Sequence, residues 1–205
     1  MKRGLLTLIF GLFLGFTAIG KAPLTQYPTW TFGAEWSYHA TFLSGYDNYF
    51  YAPEGFRVYD NSNEFTYNGN GETLLHVGYN INQYWNLSFY TCYTGLGKFH
   101  TAIPFSLRAT RYYGDNHLAD RWFTFIDIGS GVSMKKNKQE IITGKIGGGY
   151  RLSLSRLTKV DFILALRSVY THPEVEYYGE KIDQKSVIRN DGYVCSISFG
   201  IGITF

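Results

Sequence analysis

Two sets of residues in this sequence have side chains that could do chemistry. His39, Ser44 and Asp47 lie close together and supply the base, hydroxyl and carboxylate types that Ser–His–Asp hydrolysis uses. The second set contains charged or imidazole side chains at alternating positions of patterned segments: Glu35, His39, His76, Arg108, Asp127, Lys145, Arg151, Asp161 and Arg167. Because the second set mixes acids with bases, it favours ion pairing among its own members.

The elements that must position these side chains are predicted β-strands with two unlike faces. From Gly192 to Phe205, every second residue is apolar, and the residues between them are nearly all Gly, Ser or Thr. From Trp30 to Phe42, aromatic and Ala residues alternate with polar ones in the same way. Period-two alternation is typical of a strand. A strand in a membrane barrel needs one face for lipid and a small or polar face for the lumen, which this pattern supplies.

The same alternation predicts eight strands. Their predicted bounds are Trp30–Phe42, Leu74–Asn82, Trp85–Thr94, Thr101–Tyr113, Trp122–Val132, Ile142–Leu154, Val160–Tyr170 and Gly192–Phe205. The polar segments Ser44–Gly71 and His172–Asp191 are predicted to be long surface loops. Pro104 removes one ladder hydrogen bond from the fourth strand, which predicts a β-bulge there.

The first residues have the features of a cleaved signal. Lys2 and Arg3 precede an apolar run, and small residues surround a predicted cleavage site after Gly20. We therefore expect residues 1–20 to be a signal peptide and residues 21–205 to be the barrel domain. Removing Lys2 and Arg3 lowers the count of Lys and Arg from 19 to 17, against 16 acids. A net charge this small does not indicate a nucleic-acid partner.

The two cysteines indicate neither a disulfide nor a metal site. Cys195 has the parity of the lipid face and Cys92 has the parity of the lumen, so their sulfur atoms are expected to point apart. No Cys and His spacing is typical of zinc, and no cofactor is expected.

The alternation, the strand count, the signal and the aromatic last residue Phe205 resemble the small eight-stranded bacterial outer-membrane β-barrels of the outer-membrane protein A membrane-domain type. The resemblance implies an all-β fold, an eight-stranded antiparallel up-and-down transmembrane barrel, in the outer membrane of a Gram-negative bacterium. It implies a monomer whose partners are the lipid bilayer, lipopolysaccharide and the barrel-assembly machinery, which reads the strand that ends at Phe205. Aromatic residues make up 19% of the chain, as expected where aromatic girdles meet both lipid interfaces.

The interior of an eight-stranded barrel is just filled by side chains, so the charged set predicts a paired plug. The alternative is a narrow, gated path for ions or small solutes. Another alternative is catalysis, because some barrels that resemble this one modify lipid A with a His, a Ser and a carboxylate near the outer rim. His39, Ser44 and Asp47 are the candidates for that role. However, no His here has the His-x-Ser pair of the deacylases, and His39 has lumen parity.

The function that we expect is non-enzymatic, as an envelope component or as a surface binding or adhesion protein that meets an extracellular ligand through its long outer loops. The candidate contact residues are aromatic residues of the first loop: Tyr46, Tyr49, Phe50, Tyr51, Phe56 and Tyr59. The alternative for these rings is packing on one another or a position at the lipid headgroups.

Overall fold

The structure is a computed structural model that describes residues 27–96, 100–134, 140–172 and 174–205. Its barrel strands are β1 (Trp30–Tyr51), β2 (Arg57–Asn80), β3 (Trp85–Leu96), β4 (His100–Tyr112), β5 (Arg121–Ser133), β6 (Glu140–Ser153), β7 (Lys159–Thr171) and β10 (Val187–Thr204). These eight strands form one closed antiparallel sheet in the order β1-β2-β3-β4-β5-β6-β7-β10, and β10 closes onto β1. Two short strands, β8 (Glu176–Tyr177) and β9 (Glu180–Lys181), form a separate hairpin. The predicted eight-stranded antiparallel barrel is confirmed.

The barrel wall sorts its side chains as the alternation predicts. Trp36 and Leu164 point outward and are 55% and 54% exposed, whereas their neighbours in sequence Glu35 and Ala165 are both 4% exposed. Large apolar side chains are exposed in this way on all eight barrel strands. So large an apolar surface is unfavourable in contact with water, whereas contact with the hydrocarbon of a bilayer requires one.

A girdle of aromatic side chains surrounds the barrel at the end where β1 begins and β10 ends. We call this end of the barrel the terminal end. Trp30 packs against Tyr79 with their ring centres 5.2 Å apart, and Trp122 packs against Tyr150 at 4.9 Å. The exposed side chains of Trp85, Tyr113 and Phe205 complete this set. Aromatic side chains at one level of the wall are typical of a membrane interface.

A second aromatic group marks the opposite limit of the apolar wall. Tyr38 lies eight residues after Trp30, which is about 20 Å along the barrel axis at about 3.3 Å per residue and a tilt of about 40°. Its hydroxyl lies 2.7 Å from that of Tyr67. Phe42 and Phe65 are exposed just beyond this level. The two aromatic groups therefore enclose a band whose height is close to that of the apolar band of membrane barrels, which is about 25 Å tall.

The prediction of a loop at Ser44–Gly71 is wrong, because this segment continues β1 and β2. β1 contains 22 residues and β2 contains 24, whereas about 9–11 suffice to cross a bilayer. The surplus pairs with the first half of β10 to form a three-stranded sheet beyond the barrel wall. We call this sheet, residues 43–51, 57–67 and 187–195, the blade. Its strands carry polar residues on both faces, so the alternation that identifies a lipid-facing strand does not continue into them.

The register shifts where the barrel wall becomes the blade. Thr41 pairs with Ser196 and with Asn68, but Leu43 pairs with Cys195 and with Phe65. β1 therefore has one extra residue relative to β10, and β2 has one extra residue relative to β1. Such bulges exchange the two faces of a strand. Odd-numbered β1 residues face the lumen up to Thr41 and the outer side of the blade from Leu43 onward.

The second predicted loop, His172–Asp191, also contains regular structure. It includes the β8–β9 hairpin, a short 3-10 helix at Gln184–Ser186 and the first residues of β10. The hairpin covers the tip of the blade, where the rings of Phe50 and Tyr177 lie 5.6 Å apart. Val175 and Ala52 are buried in the same region. The loop prediction for this segment is wrong because the apolar contact joins residues that are distant in sequence and leaves no local pattern.

Pro104 interrupts the sheet without producing the predicted bulge. β3 and β4 pair through Thr91↔Phe105 and again through Thr94↔Ala102, and the register is the same on both sides of the gap. Within this gap, Cys92 has a φ of 151°. Its side chain is exposed, so its predicted lumen position is wrong. Cys92 and Cys195 are both free thiols.

Within the described ranges, no helix is long and apolar enough to cross a membrane. The predicted signal peptide and residues 97–99, 135–139 and 173 lie outside the described residues.

Candidate functional site: the charged lumen and the blade

The lumen holds its charged side chains at three levels, of which the first lies near the terminal end. Arg151 Nε and Nη2 donate to the two carboxylate oxygens of Asp161 at 2.7 and 2.6 Å. Arg151 and Asp161 face each other in the register of β6 and β7. The guanidinium carbon atoms of Arg151 and Arg121 lie 4.5 and 4.0 Å from the ring centre of Tyr112. This level therefore combines a two-point ion pair with stacked cations.

Arg108 organises the middle level. Its Nη1 donates to Glu35 Oε2 at 2.6 Å, and its Nε donates to Asp127 Oδ2 at 3.1 Å. The guanidinium carbon lies 4.0 Å from the ring centre of Tyr90 and 4.3 Å from that of Phe125. One cation thus joins two carboxylates from opposite parts of the wall between two aromatic faces, an arrangement that compensates the loss of water.

Glu72 organises the third level, nearest the blade. Its carboxylate accepts a hydrogen bond from Lys145 Nζ and lies 3.4 Å from His39 Nε2. His39 Nδ1 lies 2.7 Å from Ser198 Oγ. Arg167 is buried beside this group, and its Nη2 donates to Thr94 Oγ1 at 2.8 Å. β1, β2, β6, β7 and β10 all contribute to this level, so it ties together most of the barrel.

Apolar side chains fill the space between and beyond the charged levels. One cluster comprises Tyr112, Phe123, Phe125, Ile163 and Ala165, and a second near the blade comprises Ala102, Ile141 and Val169 with Leu96 against it. Two cavities among the described residues each have a volume of about 20 Å³. A space of this size holds about one water molecule.

The structure places the predicted lumen residues inside the barrel but does not assemble the predicted catalytic set. His39 contacts Ser198 and Glu72, whereas Asp47 forms an ion pair with Arg189 at 3.1 Å in the blade. Ser44 pairs in register with Val194, beyond the bulge that separates it from His39. The Ser198–His39–Glu72 chain has the residue types of a hydrolytic triad. All three side chains are buried, however, and they line neither cavity.

The predicted contact aromatics divide into three environments. Phe50 is 1% exposed and packs on Tyr177, so its predicted role in surface contact is wrong. Tyr49 is half-buried, whereas Tyr46 on the same strand is exposed. Tyr51, Phe56 and Tyr59 are exposed at and near the tip. The structure therefore leaves a smaller exposed set than the sequence suggested.

Three charged lumen residues lie outside the predicted strands: Glu72, Arg121 and Lys159. Glu72 falls between the predicted loop Ser44–Gly71 and the predicted strand that begins at Leu74, although its parity relative to His76 gives the lumen face. Arg121 and Lys159 lie at the first positions of their strands, just outside the predicted bounds. Tyr90 lies within a predicted strand, but the sequence does not show that Arg108 donates to its hydroxyl at 3.2 Å.

In the described part of the chain, no cluster of three or more His, Cys, Asp or Glu side chains could hold a metal ion. No family model matches the chain, and no curated protein sequence matches it. Among solved structures, the outer membrane protein OprG from Pseudomonas aeruginosa is similar with a TM-score of 0.51 at 10% identity, over 88% of this chain and 97% of that chain.

The fold is that of a small outer-membrane β-barrel. AlkL, solved by solid-state NMR in DMPC lipid bilayers, gives a TM-score of 0.48 at 11% identity over 91% of this chain and 95% of its own. Ail of Yersinia pestis gives 0.38 at 12% identity over 87% of this chain and 100% of its own. The barrel fold and the exposed apolar band between two aromatic levels together place the protein in a Gram-negative outer membrane, as the sequence predicts.

Proposed function

We propose that this protein is a non-enzymatic outer-membrane barrel whose lumen is closed by its charge network and whose blade binds a partner outside the cell. The observation that carries this proposal is the free edge of the blade. β2 pairs with β1 along its whole length, but it pairs with β3 only from Glu72 to Asn80. Within the described part of the chain, residues 57–71 of β2 therefore present one unpaired edge.

An unpaired edge of this length is a docking template for an extended segment of another protein. Main-chain N–H and C=O groups along such an edge add a further strand, and the flanking side chains select the partner. Natural edges are usually protected by Lys, Pro or inward-pointing charges, but residues 57–71 contain neither Lys nor Pro. The side chain of Tyr59 is 63% exposed beside it, and its ring supplies contact area at a small cost in conformational entropy.

The aromatic residues of the blade do not all serve the same role in this proposal. Phe65 and Tyr67 lie at the second aromatic level, where rings are typical of the lipid headgroup region. Tyr51, Phe56 and Tyr59 lie farther from the barrel wall, near the turn in which Ala52 N donates to Phe56 O. We assign partner contact to this outer set and membrane anchoring to the inner pair.

The ion pairs support a closed lumen. The buried carboxylates at three successive levels are each paired with a cation, apolar clusters separate the levels, and each cavity has room for about one water. A conducting path needs a continuous column of water or polar sites. Purified protein in planar bilayers is therefore expected to give no steady unitary currents; such currents would favour the alternative of a narrow channel.

The lipid A-modifying alternative has less support from the geometry. His39 is buried in the lumen, Ser44 lies on the blade side of a bulge, and Asp47 is paired with Arg189. A lipid ester at the outer rim would not meet these three groups together. Mass spectrometry of lipid A from cells with and without the protein tests this point, and a changed acylation pattern would overturn the non-enzymatic assignment.

The experiment that tests the binding role removes the blade without disturbing the barrel. Tyr46 and Ser62 face each other in register, so replacing residues 46–62 by Asn-Gly closes a two-residue hairpin between Gly45 and Asn63. We expect cells displaying this variant to lose at least ten-fold in adhesion to epithelial monolayers and to serum-protein-coated surfaces. Folding is checked by the heat-dependent mobility of the barrel on gels.

Two substitution sets sharpen the result. Tyr51→Ser with Phe56→Ser and Tyr59→Ser is expected to reduce adhesion, whereas the control Phe65→Ser with Tyr67→Ser is expected to leave it unchanged. Equal adhesion of the shortened variant and the parent protein would contradict the binding role.

A further inference from the structure

A small cavity at the terminal end of the lumen is lined by basic side chains, among which Arg121 and Lys159 form no ion pair with a described carboxylate. Its volume is about 20 Å³. Arg121, Arg151, Lys159 and His117 all line it, together with the C-terminal residue Phe205. Arg121 and Lys159 are 9% and 7% exposed, so both cations are largely withdrawn from water. Withdrawn cations require compensation by an anion or by strong hydrogen bonds.

Arg121 has little of that compensation. Its Nη1 donates to the backbone oxygen of Gln83 at 2.8 Å, but its Nε is buried without a hydrogen-bond partner. In the register of β5 and β6 it faces Arg151, which is a like-charge pair. Like charges directly opposite each other destabilise a sheet unless something lies between them.

Lys159 is equally short of a counter-charge. Its Nζ donates only to neutral oxygens, those of Ser153 Oγ and of Ser155 O, the latter at 2.9 Å. Among the described residues, no carboxylate lies within ion-pair distance of either Lys159 or Arg121. Two acids act on these cations from farther away: Asp161, whose two oxygens are both engaged by Arg151, and Asp120, which accepts from the backbone N–H of Ser153.

Among the described residues, Arg151 alone of the three cations that line the cavity has a carboxylate within ion-pair distance, that of Asp161. Asp120 attracts Lys159 from a greater distance, and the terminal residue Phe205 lines the cavity as well. His117 lies in the turn between β4 and β5, where burial and then the charges of Arg121 and Lys159 lower its pKa. A neutral imidazole at the rim can donate a hydrogen bond without adding to the repulsion.

We infer that this cavity is a binding site for one oxyanion, a carboxylate or phosphate group, which Arg121 and Lys159 hold at the terminal mouth of the lumen. The anion supplies the close counter-charge that Arg121 and Lys159 lack among the described residues. A single oxygen of the group occupies the cavity, which has room for one water-sized atom, and accepts from Arg121 Nε and Lys159 Nζ. The remainder of the group lies toward the mouth beside His117. The source is either free phosphate or a carboxylate carried by a larger envelope molecule.

The test monitors the NMR signal of the Arg121 Nε–H group during a titration. The mature barrel, ¹⁵N-labelled on Arg and refolded in detergent micelles, is titrated at constant ionic strength with inorganic phosphate, with acetate and with chloride. We expect a saturable shift of the Arg121 Nε–H signal with phosphate, with acetate or with both, and little shift with chloride. Response to phosphate alone assigns a phosphate source, and response to acetate assigns a carboxylate source.

Variants separate the site from general charge effects. Lys159→Gln keeps the reporting group and is expected to weaken the oxyanion affinity at least ten-fold, and Arg121→Gln is expected to abolish the response at the remaining Arg signals. The control is Arg111→Gln, since Arg111 lies at a similar height but outside the wall, near the rings of Trp85 and Tyr113. An Nε–H signal that does not respond to either oxyanion, a response equal to that for chloride, or an equal loss in the Arg111 variant would overturn the inference. These results do not depend on whether the blade binds a partner.

Discussion

Glu72 shows how a single residue connects the barrel from inside. Its carboxylate accepts from Lys145 on β6 and lies against His39 on β1, which in turn contacts Ser198 on β10. Glu72 and Lys145 are 2% and 6% exposed, so neither charge has water as an alternative partner. Removing one member of a buried pair leaves the other uncompensated, which costs far more than a surface pair contributes.

Glu72→Gln is therefore expected to lower the free energy of unfolding by about 3–5 kcal/mol, because Lys145 keeps its charge without a carboxylate. The measurement is urea unfolding of the barrel in lipid vesicles, followed by tryptophan fluorescence. The matched control is Glu174→Gln, whose partner Lys181 lies 2.5 Å away in β9 and is 65% exposed. The control is expected to unfold like the parent protein, and an equally small effect of Glu72→Gln would contradict a stabilising lumen network.

For individual lumen residues, the sequence predicts the face of the strand but not the bonding partner. Strand parity identified Glu35, Arg108 and Asp127 as lumen residues, because a period of two fixes which way a side chain points. It did not identify the partners, since Arg108 on β4 reaches Glu35 on β1 across the interior. His39 was considered as a catalytic base because Ser44 and Asp47 are near in sequence, but the bulge after Thr41 separates them.

Among the elements, β6 shows how glycine permits a filled lumen. A Cβ atom on Gly149 would lie 2.0 Å from the backbone oxygen of Phe162 and 2.7 Å from the ring of Phe123. A Cβ on Gly147 would lie 2.4 Å from the backbone oxygen of Leu164. The glycine run that the sequence presents is thus explained by close approach of the neighbouring strand and of ring side chains.

Gly149→Ala is expected to destabilise the barrel by about 1–3 kcal/mol, because the methyl group meets backbone on β7 that cannot move freely. Gly144→Ala on the same strand is the control, since the nearest atom to its Cβ is Asp127 O at 3.9 Å. The midpoint of urea unfolding in vesicles measures both. A Gly149 variant that is as stable as the Gly144 variant would show that the neighbouring strand relaxes.

The barrel strands were predictable and the blade was not, for one physical reason. Inside a bilayer, one face of a strand must be apolar and the other must suit the lumen, so the segment Trp30–Phe42 carries a visible period. Beyond the bilayer, both faces of β1 and β2 meet water or another loop, so the residues after Phe42 are free of that constraint. The blade is specified by pairing across three strands and by the Phe50–Tyr177 contact, neither of which a local pattern reveals.

At the scale of the whole molecule, closure of the barrel and the sorting of its side chains between lumen and lipid depend on each other. The pairing of β1 with β10, from Gly33↔Thr204 upward, leaves no open edge within the apolar band. Every main-chain group there can bond to a neighbouring strand, as hydrocarbon requires. The charged levels can then remain inside while the outer wall stays apolar.

The chain's four tryptophans, Trp30, Trp36, Trp85 and Trp122, report on this arrangement without any substitution, because all four are exposed on the outer wall. The measurement that tests the central claim is the fluorescence of the refolded protein in vesicles, with either brominated lipids or aqueous acrylamide as quencher. The account predicts strong quenching by the brominated lipids and weak quenching by acrylamide. Strong quenching by acrylamide with no effect of the brominated lipids would mean that these side chains do not face hydrocarbon, and would contradict the account.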